Sequence, residues 1–429
     1  MTTDSLATAC RARRGAHRIA AQAVPWAAML LAVALGLGTW TSRAHAYAWM
    51  ISREYTGCAT CHADPSGGGL LTAYGRAQGE VLLRTHYSPM AADEEPGRVK
   101  DFLFGAFALP DSLLLGGEYR AGYLHSVAQG TASIEKFLQM QADLQGQVAF
   151  DRVRVNASIG YDHNGAQAAR LTTADRDNLV SRVHWLGVDL GSDNTFLLRA
   201  GRMQVPYGLR GIEHTFFIRS PTGPLFGSGV RDDINAGQQH GVALSYNVEG
   251  LRGELMLIAG NYQITPDAER ERGYSGYLEW APTVHTALGV STRITHVARE
   301  PLFQTALLRQ AHGLFGRVSP VRALTLLAEL DLLVNTQPSS GSTAYSGAGY
   351  AAMLQADLEP LQGLHFILTG ECTEPPYTGT STSYGGWASV AWFFAPHADL
   401  RLDAIQQSLA VGPQSFSATS VLGQLHVYL

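Results

Sequence analysis

Long runs in which apolar and polar residues alternate dominate the chain beyond its first quarter. In one such run, Val153, Val155 and Ile159 alternate with Asn156 and Ser158. Successive side chains of a β-strand point to opposite faces, so a run of this kind forms a strand with one apolar and one polar face. Helical periodicity is scarce in the same region. The pattern therefore predicts an all-β fold.

These runs are longer than the strands of soluble sandwiches, whose usual length is about 5–6 residues. They approach the about 9–11 residues of a strand that spans a membrane. Their polar faces carry charge, although charged residues make up only 16% of the chain. Because no second apolar layer is present to cover the apolar faces, we expect them to contact lipid while the polar faces line water.

Turns recur at the spacing of a β-hairpin. Pro282, Pro320, Pro360 and Pro396 each follow an apolar run and are 38, 40 and 36 residues apart. Proline suits a turn because its ring presets φ and it needs no backbone donor. Three further short links at 150–152, 191–194 and 247–250 complete a set of seven.

Eight longer polar segments fall between the short links. They lie near 126–133, 163–177, 204–237, 261–272, 296–303, 334–344, 373–380 and 410–415. Seven short turns and eight long loops predict a transmembrane antiparallel barrel of about sixteen strands over residues 106–429. Short turns face the periplasm in bacterial outer-membrane barrels, and an even strand number places both barrel ends there.

The first 46 residues are typical of an export signal. Four arginines between positions 11 and 18 precede an apolar run over 26–40, and Ala44-His45-Ala46 matches a cleavage site. A membrane anchor is the alternative, but a spanning helix needs about 20 apolar residues. We expect a cleaved signal peptide, export to the bacterial outer membrane and a mature chain beginning at Tyr47.

The sequence Cys58-Ala59-Thr60-Cys61-His62 predicts one covalent haem c. Two thiols at this spacing add to the two vinyl groups on one porphyrin edge, and His62 becomes the proximal axial ligand of the haem iron. A zinc site would need a second pair of ligands, and a redox dithiol would need a strand–helix context. Neither is visible. Of the four cysteines, Cys10 belongs to the signal and Cys372 stands alone, which excludes a disulfide framework.

The sixth haem ligand is left open by the sequence. His86 and Met90 are favoured over Met50, and an open sixth position would indicate chemistry on a small molecule. The haem segment, 47–105, is marginal as an independent domain because about 60 residues bury little surface. Since a barrel of sixteen strands leaves an aqueous channel, we expect the segment to plug the lumen.

An export signal, one haem motif and a sixteen-strand barrel together resemble the fused outer-membrane monohaem cytochrome c–porins. The best-known members of that family are iron oxidases of iron-oxidising bacteria. The residues that carry the likeness are Cys58, Cys61 and His62, with the glycine-rich stretch and Tyr74-Gly75-Arg76 that follow. The resemblance implies haem inside the barrel, electron entry from an extracellular donor such as Fe(II), and a periplasmic cytochrome as partner.

The third long loop, 204–237, folds into the lumen in general porins and here carries Glu213, His214, Asp232 and Asp233. Carboxylate and imidazole ligands suit ferrous iron, but acidic residues are also ordinary in barrel loops. Two other functions remain open: a haem-bearing porin for small solutes, and a five-coordinate haem enzyme. With a net charge of −5, nothing indicates nucleic-acid binding.

Overall fold

The computed structural model describes most of the chain beyond residue 47. The described ranges are 48–65, 67–87, 102–130, 132–161, 169–172, 178–191, 195–209, 237–301, 304–337, 345–377, 381–411 and 414–429. The predicted signal peptide, Met90 and the four loop residues from Glu213 to Asp233 lie outside these ranges. No helix in the described part of the chain is long and apolar enough to cross a bilayer.

Seventeen β-strands lie within the described ranges. They are β1 Leu113–Ala128, β2 Ile134–Phe150, β3 Val153–Tyr161, β4 Leu179–Val180, β5 His184–Leu190, β6 Phe196–Gln204, β7 Gln238–Val248, β8 Leu251–Gly260, β9 Arg272–Thr283, β10 Thr286–Val297, β11 Leu307–Val321, β12 Leu324–Gln337, β13 Tyr345–Leu361, β14 Leu364–Glu374, β15 Ser383–Ala395, β16 Ala398–Val411 and β17 Gln414–Tyr428. The two-residue β4 belongs to the loop between β3 and β5, so sixteen strands form the wall.

Every neighbouring pair of wall strands is antiparallel, and β1 pairs with both β2 and β17. The sheet is therefore a closed barrel without a free edge. This confirms the predicted fold class, including the number of strands. Short links join the strands at one end, called here the turn side. The links at the other end, the loop side, are mostly longer, but the one between β16 and β17 is also short.

The two faces of the wall follow the sequence alternation. On β3, Val155 and Ile159 are 45% and 55% exposed, whereas Asn156 and Ser158 are buried. The exposed large side chains of the other strands are mostly leucine, valine and aromatic residues. An apolar exterior around a polar interior is the arrangement of a barrel that faces lipid.

Two details of the predicted connections were wrong. Pro282, Pro320 and Pro360 do not lie in the turns but near the ends of β9, β11 and β13, beside register shifts. Proline is tolerated there because a bulge removes the need for its missing donor. The link predicted near 410–415 is not a long loop, since β16 continues to Val411 and β17 begins at Gln414.

Where the structure describes it, at 48–65, 67–87 and 102–112, the segment before the barrel contains only short elements. They are a 3-10 helix at Ala48–Arg53, helix α1 at Ala73–Gln78, a π-helix at Gly79–Leu83 and a helical turn at Phe102–Gly105; a further 3-10 helix, Asp267–Glu269, lies in a barrel loop. At Phe102–Gly105, the φ angles of Leu103 and Phe104 are positive, so this turn is irregular.

Residues 48–87 lie inside the barrel, at the turn side. Gln362, in a short turn, donates its side-chain amide to the carbonyls of Val81 and Arg84 at 2.9 and 3.1 Å. The backbone N–H of Thr85 donates to the carbonyl of Phe393 at 2.8 Å. The small segment is thus hydrogen-bonded to the wall rather than folded around a core of its own.

The first residues of the third long loop also enter the lumen. The hydroxyl of Tyr207 donates to Asp331 Oδ1 at 2.9 Å, and the backbone N–H of Leu209 donates to Glu329 Oε2 at 2.8 Å. Both acceptors belong to β12, on a distant part of the wall. At its start, therefore, this loop runs into the lumen as general porins led us to expect.

Candidate functional site

The cysteine–histidine motif forms a single tight turn within the lumen. The backbone N–H groups of Cys61 and His62 both donate to the carbonyl of Cys58, at 3.2 and 3.1 Å. The chain then returns alongside the motif, where Ala63 N–H donates to the Leu70 carbonyl and Thr72 N–H donates to the Cys61 carbonyl, each at 2.9 Å. This return chain holds both cysteines and the histidine on one rigid turn.

Helix α1 packs directly on the motif. The hydroxyl of Thr72 donates to the Thr60 carbonyl at 2.7 Å and accepts the N–H of Gly75 at 3.1 Å, which caps the helix. A Cβ atom at Gly75 would lie 2.2 Å from the Cys61 carbonyl oxygen. Only glycine allows this approach, which gives the Tyr74-Gly75-Arg76 sequence a structural role.

His62 has the hydrogen bonding of a metal-ligating imidazole. Its Nδ1 donates to the Gly69 carbonyl at 3.2 Å, which leaves Nε2 available as a ligand. Burial lowers the pKa of His62 below its usual value, although the hydrogen bond to Gly69 opposes this shift. The ring is therefore neutral at neutral pH, the form that binds a metal ion.

A cavity of about 340 Å³ adjoins the motif, within the range of cofactor pockets. Cys61, His62 and Met50 line one part of it. At the other end it reaches Gln204, the last residue of β6, and Gln238, the first residue of β7. Both residues lie at the loop side, so the cavity extends from the motif towards the loop side of the barrel.

Much of the polar part of the cavity wall comes from β1 and β2, which supply Glu118, Arg120, Gln141, Asp143 and Gln145. Arg182, in the link before β5, also lines it. Gln145 also accepts the backbone N–H of Leu70 at 3.0 Å. The lining combines apolar side chains such as Met50 and Leu70 with these charged ones, and such a mixture would suit a planar group with one apolar and one charged edge.

Cys58 does not line this cavity. Its Sγ accepts a hydrogen bond from Arg252 Nη1 at 3.0 Å, and Arg252 is itself paired with Glu279 at 2.7 Å. Glu279 pairs with Arg317 at 2.7 Å as well. The two motif thiols are thus both buried but have different surroundings: Cys61 adjoins the cavity and Cys58 adjoins a buried ionic network.

A second buried ionic group fixes the segment to the same part of the wall, because its Glu254 lies on β8 together with Arg252. Arg199 of β6 binds Asp64 of the segment at 2.8 Å and Glu254 of β8 at 2.6 Å, and all three side chains are at most 3% exposed. Nearer the turn side, Arg53 pairs with Glu359 at 2.5 Å. Sequence alternation places such charges in the lumen but gives no signal of which residues pair.

The candidate distal ligands occupy different places. His86 Nε2 hydrogen bonds to the Val81 carbonyl at 3.3 Å, and His86 does not line the cavity. Met50, which the sequence ranked below His86 and Met90, is 2% exposed and does line the cavity. His86 and Met90 as distal ligands stay predictions, and Met50 is a third candidate supported by its position.

Solved structures that superpose on this chain include several porins. The outer membrane channel DcaP of Acinetobacter baumannii superposes with a TM-score of 0.54 at 10% identity, over 74% of this chain and 97% of that one. An anion-selective porin from Comamonas acidovorans superposes with a TM-score of 0.54 at 13% identity, over 74% of this chain and 99% of that one. The barrel has the porin fold. OmpT of Vibrio cholerae, in a form that lacks its loop L8, superposes with a TM-score of 0.52 at 10% identity, over 74% of this chain and 100% of that one.

No family model and no curated protein matches the sequence. At these identities the porin likeness shows the fold alone. The superposition covers almost all of each porin chain, whereas about a quarter of this chain lies outside it.

Proposed function

We propose that this protein is an outer-membrane electron conduit in which a haem c, bound to Cys58 and Cys61 with His62 as axial ligand, sits inside a porin-like barrel. The observation that carries the proposal is the position of the cysteine–histidine turn. It lies within the lumen, beside a cavity that reaches the loop-side ends of β6 and β7. An extracellular donor, Fe(II) in the simplest case, and a periplasmic cytochrome would then share one carrier.

The dimensions of the barrel favour a luminal carrier. The apolar band of such barrels is about 25 Å tall, so a carrier on either rim would serve only one side of the membrane. A covalent haem supplies a one-electron carrier with a potential set by its axial ligands and surroundings. Residues 48–87 place the motif at the turn side, within reach of a periplasmic partner.

The chain's own residues have separate tasks in this proposal. Cys58 and Cys61 hold the group covalently, and the Gly69 carbonyl accepts the N–H of His62 Nδ1 so that Nε2 is left to bind the iron. The Arg199–Asp64 pair fixes the loop that follows the motif. These contacts keep the group at one depth in the lumen, which keeps its distance to each partner constant.

The first test is an optical spectrum of the purified detergent-solubilised protein, made in cells that mature c-type cytochromes. We expect sharp reduced c-type bands, first with dithionite and then with ferrous iron. The double variant Cys58→Ala/Cys61→Ala should lose them, while Cys372→Ala, which removes the cysteine outside the motif, should keep them. Absence of any haem spectrum would overturn the proposal. Bands with dithionite but not with iron would retain the conduit and exclude iron as its donor.

Sealed outer-membrane vesicles test the direction of access. A membrane-impermeant reductant added outside should reduce the haem. A haem that is reached only from the periplasmic side would contradict a conduit.

A porin for small solutes is the second candidate, favoured by the fold of the solved neighbours. Single-channel conductance in planar bilayers separates the two functions. In the conduit, the segment at 48–87 and the loop start at 205–209 occupy part of the lumen, so we expect conductance well below that of an open sixteen-strand porin. A conductance equal to that of an open porin would favour solute transport.

A further inference from the structure

Two histidines face each other at the loop side of the barrel. His184 is the first residue of β5 and His240 is the third residue of β7. Their Nε2 atoms are 3.2 Å apart and their ring centroids are 5.2 Å apart. The conduit proposed above gives neither residue a role.

Strand register places the two rings on one face of the sheet. His184 pairs with Arg202, and Arg202 pairs with His240. Side chains directly opposite each other on neighbouring strands point to the same face, and the Arg202 side chain between the two histidines is fully buried. Both histidines are half-buried and lie near the loop-side ends of β5 and β7, beside the exposed Tyr262. Ions in the surrounding medium can reach them there.

The other nitrogen of each ring has a hydrogen-bond partner. His184 Nδ1 lies 2.9 Å from the Ser181 hydroxyl. His240 Nδ1 accepts the backbone N–H of Tyr262 at 3.2 Å, and the Gly260 carbonyl is a second hydrogen-bond partner of this ring. Without a metal ion, the neutral His240 ring therefore carries its proton on Nε2 and shares it with His184 Nε2 in a hydrogen bond. An ion bound at Nε2 moves the His240 proton to Nδ1, which leaves the Gly260 carbonyl as its acceptor, and the Ser181 hydroxyl is the corresponding acceptor for His184.

The distance between the Nε2 atoms is that of a chelate. Two nitrogens bound at about 2.0–2.1 Å to one ion and 3.2 Å apart subtend an angle of about 100° at the metal. This lies between the ideal tetrahedral and octahedral angles. We propose that His184 and His240 bind a divalent transition metal ion of the class that imidazole prefers, which includes Zn²⁺, Cu²⁺, Ni²⁺ and Fe²⁺.

The surroundings set the strength of such a site. No group of three or more His, Cys, Asp or Glu residues converges within the described ranges, so water completes the coordination. Arg202 lies in register between the two histidines, and Arg270 stacks on the Tyr262 ring at 4.2 Å. Positive charges close to a dication weaken its binding. The site is therefore one of weak, exchangeable occupancy, accessible from the loop side.

The test is a Zn²⁺ titration by calorimetry of the full-length haem-loaded protein, purified without a histidine tag. The variants are His184→Gln and His240→Gln, because glutamine keeps a polar side chain of similar length. His312→Gln is the matched control: His312 is also half-buried, and its Nδ1 lies 2.9 Å from the hydroxyl of Thr292. A difference in gel migration between heated and unheated samples verifies that each variant has folded as a barrel.

We expect each of the two variants to lower Zn²⁺ affinity at least tenfold, His312→Gln to leave it unchanged, and binding to weaken on acidification because the imidazoles must be neutral. Equal affinity in all four proteins would overturn the proposal, and so would a loss confined to one of the two variants, which would indicate a single surface histidine. Zinc binding does not depend on electron transfer, so this result and that of the conduit are separable.

Discussion

The wall of the barrel and the segment inside it are stabilised in different ways. The wall is a continuous ladder of backbone hydrogen bonds between strands of up to 17 residues. The longest regular elements of the luminal segment have six residues, and buried ion pairs and hydrogen bonds to the wall hold it. The wall can therefore form from its own pattern, whereas the segment needs the wall.

The buried Arg199 should give the largest effect on this difference. Arg199→Met leaves the carboxylates of Asp64 and Glu254 buried without their shared cation, and breaking a buried pair costs about 3–5 kcal/mol. We expect hydrogen exchange to accelerate across residues 58–72 while the strands far from β6 stay protected. Arg272→Met is the control, because its pair with Asp267 is exposed and worth about 0–1 kcal/mol. Equal effects of the two variants would contradict anchoring by the ion pair.

Gly75→Ala tests the packing of α1 on the cysteine–histidine motif. Alanine normally stabilises a helix relative to glycine, but here its Cβ would lie 2.2 Å from the Cys61 carbonyl oxygen. We expect a loss of about 1–3 kcal/mol in local stability and a lower yield of covalent haem. Gly370→Ala is the control, because no atom lies within 4 Å of its Cβ position. A normal haem yield in Gly75→Ala would exclude this contact from motif formation.

The distal ligand gives a smaller, spectroscopic effect. Leucine replaces methionine with little change in volume. If Met50 is the ligand, Met50→Leu should let the reduced protein bind carbon monoxide and should lower its reduction potential. His86→Leu, whose ring lies outside the cavity, should keep the wild-type spectrum. The reverse result, or the same change in Met90→Leu, would support the prediction from sequence instead.

The smallest expected effect concerns the loop side of the wall, far from the segment. Burial of Glu271 favours its neutral form, but the guanidinium groups of Arg293 and Arg309 outweigh this and lower its pKa to about 2. A depressed pKa stabilises the fold above the ordinary value near 4.5, and this contribution is lost as pH falls towards 2.

Thermal midpoints between pH 7 and pH 2 test this expectation. The wild type should lose stability below about pH 4.5, and Glu271→Gln, already less stable at pH 7, should lose less over the same interval. Glu269→Gln serves as the control, because its partner Arg299 is half-exposed. Parallel curves for Glu271→Gln and the wild type would contradict the role of Glu271.

The sequence predicted more about the wall than about the surroundings of the luminal segment, because the wall follows a local pattern and those surroundings do not. Alternation is a local property, so Val155 against Asn156 already indicates which side of β3 faces lipid. Counting the seven short turns and eight longer loops between such runs predicted sixteen strands. Chain ends and turns were less predictable. Pro320 was predicted to lie in a turn because proline favours turns, but it lies at a bulge near the end of β11. The neighbouring strand decides where the hydrogen-bonded pairing of β11 ends.

The cysteine–histidine motif was visible because the proposed haem attachment requires five consecutive residues, Cys58 to His62. Its surroundings were not visible: Arg199 and Arg252 are 135 and 194 residues from the partners that they meet, Asp64 and Cys58. The pair of His184 and His240 has the same origin, since 56 residues separate two rings that touch. The sequence by itself determined a barrel and a motif, because periodicity and spacing are local. Only barrel closure decided what surrounds the motif, because closure brings distant strands to one lumen and one rim.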